Sequence, residues 1–164
     1  MAEQAIEKLR AIPLFTDLAG DDAALGEVLA ITTERRVPSG AVVIEEGENG
    51  DELFIVRSGG VEIRKQTRAG DSYTVVRLRE TDNVFFGELA LIDDDRRSAT
   101  VITTENSEFL VIRKSDFLAL GERAPHIALP ITRAIARILA GRVRRTTADM
   151  MTIFDALVHE LEST

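Results

Sequence analysis

The segment ELFIVRSGGVEIRKQ, residues 52–66, contains two runs rich in Val and Ile on either side of a Ser58–Gly60 turn. Such runs with glycines between them predict two antiparallel β-strands joined by a tight turn. Further turns are predicted at Pro38–Gly40 and Gly47–Gly50, and the runs SYTVVRLR, SATVITT and SEFLVIR follow at short intervals. Several short strands at this spacing favour a sandwich or small barrel, called the β-roll below, over residues 32–113.

Helical patterns flank the β-roll on both sides, which predicts an α+β fold. In residues 1–31 the apolar positions follow helical spacing, with Pro13 ending a first helix and Asp21 or Asp22 starting a second. The chain has 164 residues, enough for one core of ordinary size, so we expect a single domain over residues 1–164.

The C-terminal residues 114–164 are predicted to be helical. Ser115 is the expected N-cap of a short helix that ends before Pro125. A long helical tract follows over about residues 127–161. Its two apolar stripes are out of phase around RVRRTTAD, residues 142–149, which predicts a bend, a break or a change of packing partner there.

The composition of the chain excludes several classes of function. The net charge is −8, so nucleic acid is an unfavourable main partner, because an acidic chain repels the phosphodiester backbone. The absence of cysteine excludes disulfides, iron–sulfur clusters and thiolate metal sites. The N-terminus lacks a signal-peptide core and no apolar run is long enough to span a bilayer, so we expect a cytoplasmic protein without membrane contact.

The catalytic side chains of an enzyme are not apparent in the sequence. His126 and His159 are the two histidines, and both lie in the helical tail, which disfavours a metal centre of the cupin type on the β-roll. No nucleophile and base occur with a third orienting group, so we expect a binding module. Phe109, Phe117 and Phe154 are expected in the core.

The segment FFGELALIDDDRRSAT, residues 85–100, combines features of an anion site. Its GELAL portion can form one helical turn whose free N–H groups suit an anion, and Gly87 lets the backbone approach a ligand closely. Arg97 supplies a planar two-pronged donor, the geometry that phosphate accepts best. Ser98 adds a hydroxyl donor, and small residues at Ser98 and Ala99 leave their backbone amides accessible.

Glu88 interrupts the apolar part of this segment and does not suit a phosphate. A carboxylate can accept a hydrogen bond from a sugar hydroxyl, so Glu88 and Arg97 together predict a nucleotide site. The acids at residues 93–95 are interpreted as a solvated spacer, because three adjacent carboxylates cannot all converge on one metal ion.

FGELALI, a short acidic spacer, an Arg and then Ser-Ala-Thr resemble the phosphate-binding cassette of the cyclic nucleotide-binding domain family. That family includes the catabolite activator protein, the regulatory subunit of protein kinase A and cyclic-nucleotide-gated channels. PSGAVVIEEGENGDELFIVRSGGVEI resembles its glycine-punctuated early strands, and the resemblance covers roughly residues 12–145. It implies a jelly-roll type of β-roll with about eight antiparallel strands, a cassette over residues 86–100, N-terminal helices and a C-terminal helical lid.

The resemblance also implies a role for each matching residue of the cassette. Arg97 would hold the cyclic phosphate, and Glu88 would accept the ribose 2′-hydroxyl. The backbone amides of Gly87, Ala90 and Ser98 would complete the phosphate cradle.

The base of the nucleotide would lie against the wall of the β-roll, with Val56, Leu78 and Leu89 as the candidate contacts. In the family's pattern, Thr at the position of Ser98 favours cGMP and Ala favours cAMP. Ser98 leaves cAMP favoured over cGMP, and cyclic di-GMP stays open as a ligand.

The lid of the family, matched in register through Pro125, implies that Arg142 lies where the lid helix reaches the base. Arg137 and Arg145 are alternatives, and the basic run that contains them is otherwise interpreted as a solvated helix face.

Two features depart from the family's pattern. The turn before the cassette is longer than the usual Gly-Asp turn, and Arg96 stands where the kinase branch often has proline.

The resemblance implies a non-catalytic sensor in which ligand capture shifts the population towards a state with the C-terminal helices docked as a lid. The signal would pass to a protein partner or a second copy. The apolar MMTIFDALVHEL predicts either a homodimer helix or a helix that folds back on its own β-roll. The chain ends at Thr164, before a helix-turn-helix would follow, so we expect no direct DNA contact. The alternatives are a ligand-free β-roll used for protein interaction or dimerisation, with Arg97 and Glu88 paired to each other or to neighbours, and a cupin-type enzyme.

Overall fold

A computed structural model describes residues 2–67, 69–94 and 96–162 of the chain. Its strands are β1 (Thr32–Val37), β2 (Val42–Ile44), β3 (Glu52–Ser58), β4 (Gly60–Gln66), β5 (Ser72–Arg79), β6 (Phe85–Phe86), β7 (Thr100–Thr103) and β8 (Ser107–Arg113). All the pairings are antiparallel, in two four-stranded sheets of order β1-β8-β3-β6 and β2-β7-β4-β5. The predicted α+β fold with eight antiparallel strands is confirmed.

Helices lie at both ends of the chain, as the sequence predicts. They are α1 (Ala2–Ala11), α2 (Asp22–Ala30), α3 (Lys114–Arg123) and α4 (Pro125–Glu162), and a 3-10 helix, Pro13–Leu18, follows α1. The carboxylate of Asp21 accepts a hydrogen bond from the amide of Ala24 at 2.9 Å, so Asp21 is the N-cap of α2.

The predicted N-cap of α3 is wrong. The helix begins at Lys114, and Arg113 occupies the N-cap position without a side-chain hydrogen bond, so Ser115 lies inside the first turn. The reason is that β8 leads directly into α3 without a loop. The amide of Lys114 donates to the carbonyl oxygen of Asp51 at 2.7 Å, which satisfies one free N–H group of the helix start from a neighbouring segment.

The first sheet separates two apolar cores, because alternate residues of a strand point to opposite faces. Leu53, Ile55, Leu110 and Ile112 pack against the helices, and Phe54, Val56, Phe109 and Val111 line the interior of the β-roll together with residues of the second sheet. The predicted core positions of Phe109 and Phe117 are confirmed, with 0% and 5% of each residue exposed. The cassette connects β6 to β7, so it joins the two sheets.

α4 is one continuous helix through RVRRTTAD, so the predicted break is absent, and the burial of its apolar residues ends before this segment. Its buried residues, Ile127, Ala128, Ile131, Ala134 and Ile135, all lie in the first third. Residues 142–162 are exposed except for the intermediate Val158, and they are called the exposed half of α4 below.

The prediction that Phe154 is in the core is wrong, since 58% of the residue is exposed. A helix of 38 residues is about 57 Å long, so its C-terminal turns extend past the elements that cover its first turns. Other large apolar residues share this exposure, namely Val143, Met150, Met151, Ile153, Leu157 and Leu161. In the part of the chain that the structure describes, no helix combines the length and apolar character needed to cross a bilayer.

Candidate functional site

Gly87 starts the helical turn that the sequence predicts at GELAL. The turn is a 3-10 helix, Glu88–Leu91, and Gly87 precedes it in the left-handed region with φ of 79°. A Cβ atom at this position would lie 2.8 Å from both Nη1 of Arg97 and the carbonyl oxygen of Glu52. Backbone conformation and space therefore both require glycine here.

The guanidinium of Arg97 is held over this turn by two backbone carbonyl groups. Nη2 donates to the carbonyl oxygen of Glu52 at 2.9 Å, and Nη1 makes a longer contact of 3.4 Å with the carbonyl oxygen of Gly87. A side chain at Gly50 would collide with the Arg97 guanidinium, so glycines on two sides make room for it. Arg97 is thus fixed in a definite orientation, half-buried, before any ligand contact.

Burial and nearby acids have opposite effects on the pKa of Arg97. Burial lowers the pKa, and the charges of Glu52, Asp51 and Glu88 act to raise it. The first effect is the larger, so the pKa is lowered overall, although an arginine retains its proton at any physiological pH. Arg97 is therefore a permanent cation at the wall of the site.

A cavity of about 340 Å³ opens beside Arg97. It lies between β2, the start of β3 and the turn that joins these two strands. Its lining residues are Val42, Val43, Ile44, Glu45, Glu48, Asn49, Gly50, Asp51, Glu52, Phe54 and Arg97. The cavity offers one fixed cation and several carboxylates, which suits a small anion bound to Arg97 and polar groups attached to that anion.

Glu88 is buried, with 4% of its side chain exposed, and Arg142 of α4 donates a hydrogen bond to its carboxylate. Of the three arginines considered for the lid, Arg142 is the one in contact with the cassette. Arg137 pairs instead with Asp17 at 2.6 Å, and Arg145 is exposed. The structure therefore brings together Arg97, Glu88 and Arg142, which are up to 54 residues apart in the chain.

The remaining cassette residues differ in how accessible they are. Ser98 is exposed and Ala99 is half-buried, so both lie where a ligand can reach them. The amide of Ala90 already donates to the carbonyl oxygen of Gly87 at 3.1 Å, within the 3-10 turn.

The proposed base contacts lie in or near the apolar interior of the β-roll. Val56 is fully buried there and presents no surface, and Leu78 packs against the same cluster. Leu89 is half-buried next to Glu88. Neither Val56 nor Leu78 lines the cavity beside Arg97.

The acidic spacer contacts α3. Nζ of Lys114 donates to the carbonyl oxygen of Asp93 at 2.8 Å and to Oδ1 of Asp94 at 2.7 Å. The prediction for Asp95 lies outside the described residues. Arg96 is exposed and donates to the carbonyl oxygen of Gly47 at 3.2 Å, so its guanidinium does not share the position of Arg97.

The turn between β2 and β3, residues 45–51, is the part of the site that sequence reasoning missed. It contributes Gly50 and most of the carboxylates around Arg97. Two backbone hydrogen bonds attach it to the cassette. The amide of Arg97 donates to the carbonyl oxygen of Glu48 at 2.8 Å, and the amide of Gly47 donates to the carbonyl oxygen of Arg97 at 2.9 Å. The signal was the run EEGENGD, an acid-rich turn with two glycines directly before a strand.

A larger open groove of about 850 Å³ lies on the outer side of the second sheet. Arg64, Arg77 and Arg79 line it, and the buried Glu62 pairs with Arg64 and with Arg77, the latter at 3.3 Å. Burial acts to raise the pKa of Glu62, but hydrogen bonds from Arg64 and Arg77 outweigh it and the pKa is lowered. The cassette contributes no side chain to this groove. We therefore place the candidate site at the smaller cavity beside Arg97.

The geometry defines a class of protein: a β-roll that presents a fixed arginine and a buried glutamate in one cassette, with a long helix in contact with it. Residues 34–124 match the family described as cyclic nucleotide-binding domain. The chain belongs to this family, as the resemblance in the sequence implies.

Known proteins similar to the chain include receptors and channels. It is 30% identical over 142 residues to the cyclic AMP receptor protein of Thermus thermophilus, covering 87% of this chain and 62% of that relative. It is 37% identical over 123 residues to a cyclic nucleotide-gated potassium channel of Rhizobium etli, covering 75% of this chain and 32% of the channel. The chain thus spans less than two thirds of the length of these relatives.

Solved structures support the same family. The crystal structure of the Thermus thermophilus catabolite activator protein aligns with a TM-score of 0.75 at 29% identity, over 86% of this chain and 62% of that one. The regulatory domain of Toxoplasma gondii PKA in complex with cAMP aligns with a TM-score of 0.65 at 30% identity, over 72% of this chain and 43% of that one.

Proposed function

We propose that this domain is a non-catalytic sensor that binds a cyclic nucleotide, with cAMP favoured over cGMP. One observation carries the proposal: the guanidinium of Arg97 is fixed beside a cavity in the same cassette as the buried carboxylate of Glu88. These two groups match the two polar ends of a ribose cyclic phosphate, since one donates to the phosphate and the other accepts from a hydroxyl.

Binding would use groups that are already oriented. The phosphate would accept hydrogen bonds from Arg97, and the amides of Gly87 and Ser98 would provide further donors. The ribose 2′-hydroxyl would donate to Glu88. The fixed position of Arg97 reduces the ordering cost of binding, which favours affinity.

The preference for cAMP rests on Ser98 and on the relatives. Ser98 is exposed at the position where the family's pattern distinguishes the two bases. The Thermus thermophilus relative is named a cyclic AMP receptor protein. A human relative, 33% identical over 116 residues, is named cGMP-dependent protein kinase 2, so cGMP is the comparison that a binding experiment needs.

Signalling would pass through α4. Arg142 connects this helix to Glu88 in the cassette, and Arg137 connects it to Asp17 in the N-terminal 3-10 helix. A nucleotide that contacts Glu88 would compete with Arg142 for this carboxylate. The equilibrium between the two positions of the lid would then shift by the difference in the ligand's affinity for the two states.

The partner that we propose for the exposed half of α4 is a second copy of the chain. Val143, Met150 and Leu157 recur every seven residues, which is the period of helices that pack along a common seam. Phe154 and Leu161 lie on the adjacent stripe and are also exposed. A two-fold arrangement would cover this stripe on both copies at once.

Calorimetric titration with cAMP and with cGMP tests the proposal. We expect binding of both with cAMP tighter, and a loss of at least about 100-fold in affinity for Arg97→Ala, because charge-assisted hydrogen bonds to the phosphate are removed. Arg96→Ala is the matched control, since Arg96 contacts the carbonyl oxygen of Gly47 and lies outside the cavity lining. An equal loss in both variants would show that the phosphate contact is assigned to the wrong arginine.

A β-roll without a ligand is the second candidate function, and one observation favours it. Glu88 and Arg97 both have protein partners, Arg142 for the first and two backbone carbonyl groups for the second. The same titration separates the two functions, since the absence of heat with either nucleotide would leave dimerisation or protein interaction through α4 as the function.

A further inference from the structure

The carboxylates around the cavity beside Arg97 are of two kinds. One of the lining carboxylates is balanced by a cation: Glu52 accepts from both terminal nitrogens of Arg35 at 2.8 and 2.7 Å. Glu88 accepts from Arg142 and lies in the cassette outside the cavity lining. The pKa of Glu52 is lowered, mainly by the hydrogen bond from Arg35, so Glu52 stays ionised and paired.

Three further carboxylates line the same cavity and form no ion pair among the described residues. They are Glu45, Glu48 and Asp51, all exposed, and they are called the acidic collar below. Arg97 is the only cation among the residues that line the cavity. The exposed Arg96 lies outside that lining and donates to the carbonyl oxygen of Gly47.

The formal charge of this region can be counted from these residues. The collar contributes three negative charges and Arg97 contributes one positive charge, which leaves −2 in the cavity lining before a ligand is present, since Glu52 is balanced by Arg35. One unit of ligand charge can pair with Arg97. A second negative charge on the ligand would find no further cation in the cavity lining, and the carboxylates of the collar would repel it.

We propose that the acidic collar makes the site selective for a phosphate with one negative charge, a phosphodiester, over a phosphomonoester such as a 5′-nucleotide. This inference rests on the proposed function and names Glu45, Glu48 and Asp51 as specificity determinants of the same site. A cyclic phosphate has a single acidic group and carries one charge, and a monoester carries about −1.5 to −2 near neutral pH.

The expected size of the effect follows from Coulomb's law. Two unit charges about 8 Å apart in water change an equilibrium by about twofold, and salt reduces this further. Removing two collar carboxylates should therefore raise the affinity for a dianion about fourfold more than the affinity for a monoanion of the same shape. The charges of Asp51 and Glu52 already act on the pKa of Arg97, so the field of this turn reaches the guanidinium.

The test compares three adenine ligands by calorimetry at pH 7.5 in low salt: cAMP, 5′-AMP and the 5′-methyl ester of AMP. The methyl ester is the matched probe, because it is as open in shape as AMP and carries one charge fewer. We expect the wild-type protein to bind the methyl ester several-fold more tightly than AMP. In the double variant Glu45→Gln/Glu48→Gln the ratio of the two affinities should shrink about fourfold.

Asp51 is left unchanged in the test because it adjoins Glu52, whose carbonyl oxygen holds Arg97. The matched control is Glu105→Gln/Glu122→Gln, which removes two exposed carboxylates outside the cavity lining and should leave the ratio unaltered. Raising NaCl from about 20 to 500 mM should reduce the ratio in the wild type and change it little in the collar variant.

The outcomes distinguish this inference from the function on which it rests. The protein could bind cAMP while the ratio of methyl-ester affinity to AMP affinity changes neither with salt nor in the collar variant. That result would overturn the inference alone, because the selectivity would then come from shape. An equal change in the control variant would overturn it as well. Absence of binding by cAMP and by the methyl ester in the wild type would overturn the proposed function together with the inference.

Discussion

The two halves of α4 have similar apolar residues and opposite surroundings. In the first half Ile131 and Ile135 are buried, with 1% and 0% of each residue exposed, against α3 and the N-terminal helices. In the exposed half Ile153 and Leu157 are 68% and 55% exposed. Arg142, the first residue of the exposed half, contacts Glu88. The difference teaches that an apolar stripe on a helix indicates burial only where another element is present to cover it.

The largest expected effect is on the stability of the first half. Ile135→Ala should lower the free energy of unfolding by about 2–5 kcal/mol, because it removes buried methyl groups and leaves a cavity. Leu157→Ala, a deletion of similar size in the exposed half, should change it by no more than about 0.5 kcal/mol at concentrations where any dimer dissociates. Urea unfolding measures both, and equal losses would mean that the exposed half folds back onto its own β-roll.

The next effect sharpens the contrast at the exposed half. Phe154→Glu should weaken self-association about 10- to 100-fold, because it replaces an apolar side chain by a charge at the proposed seam. Sedimentation equilibrium measures the dissociation constant. Asp155→Asn is the control at the neighbouring position and should leave self-association nearly unchanged. A wild-type chain that stays monomeric at the highest accessible concentration would contradict the proposed homodimer.

A smaller effect is expected at the boundary between the halves. Arg142→Ala should lower the free energy of unfolding by about 1–3 kcal/mol, because it leaves the buried carboxylate of Glu88 without its charged partner. Arg145→Ala, one turn later and exposed, is the control. Adding Glu88→Gln to Arg142→Ala should recover part of the loss, which a double-mutant cycle by urea unfolding measures. A fully additive pair of losses would mean that the contact does not stabilise the domain.

Much of the fold follows from local patterns. Alternating Val and Ile runs with glycine between them predict the strands correctly, since side chains alternate across a sheet and a left-handed glycine permits a tight turn. Gly59, with φ of 86° between β3 and β4, is such a position. The helical turn at Gly87 was likewise predictable, because glycine, acid and apolar residues occur there in a recognisable order.

Other features depend on neighbours that are distant in the sequence. Ser115 has the composition of an N-cap, but β8 continues into α3 and Asp51 supplies the acceptor for the first amide. Phe154 fits the apolar stripe of a helix, but 58% of the residue is exposed. Gly50 and the acidic collar belong to a turn whose part in the site is visible only when β2, β3 and the cassette are brought together.

The sequence alone was sufficient for the order of elements, the α+β class and the family resemblance, and it supplied the prediction that Arg97 and Glu88 are the polar groups of one cassette. These follow from short-range spacing, which a linear chain records directly. The fold was needed to join Arg142 to Glu88, to place Glu52 and Gly50 around Arg97, and to leave half of α4 uncovered. Those facts depend on which surfaces meet, and contacts between residues up to 54 positions apart arise only when the whole chain packs.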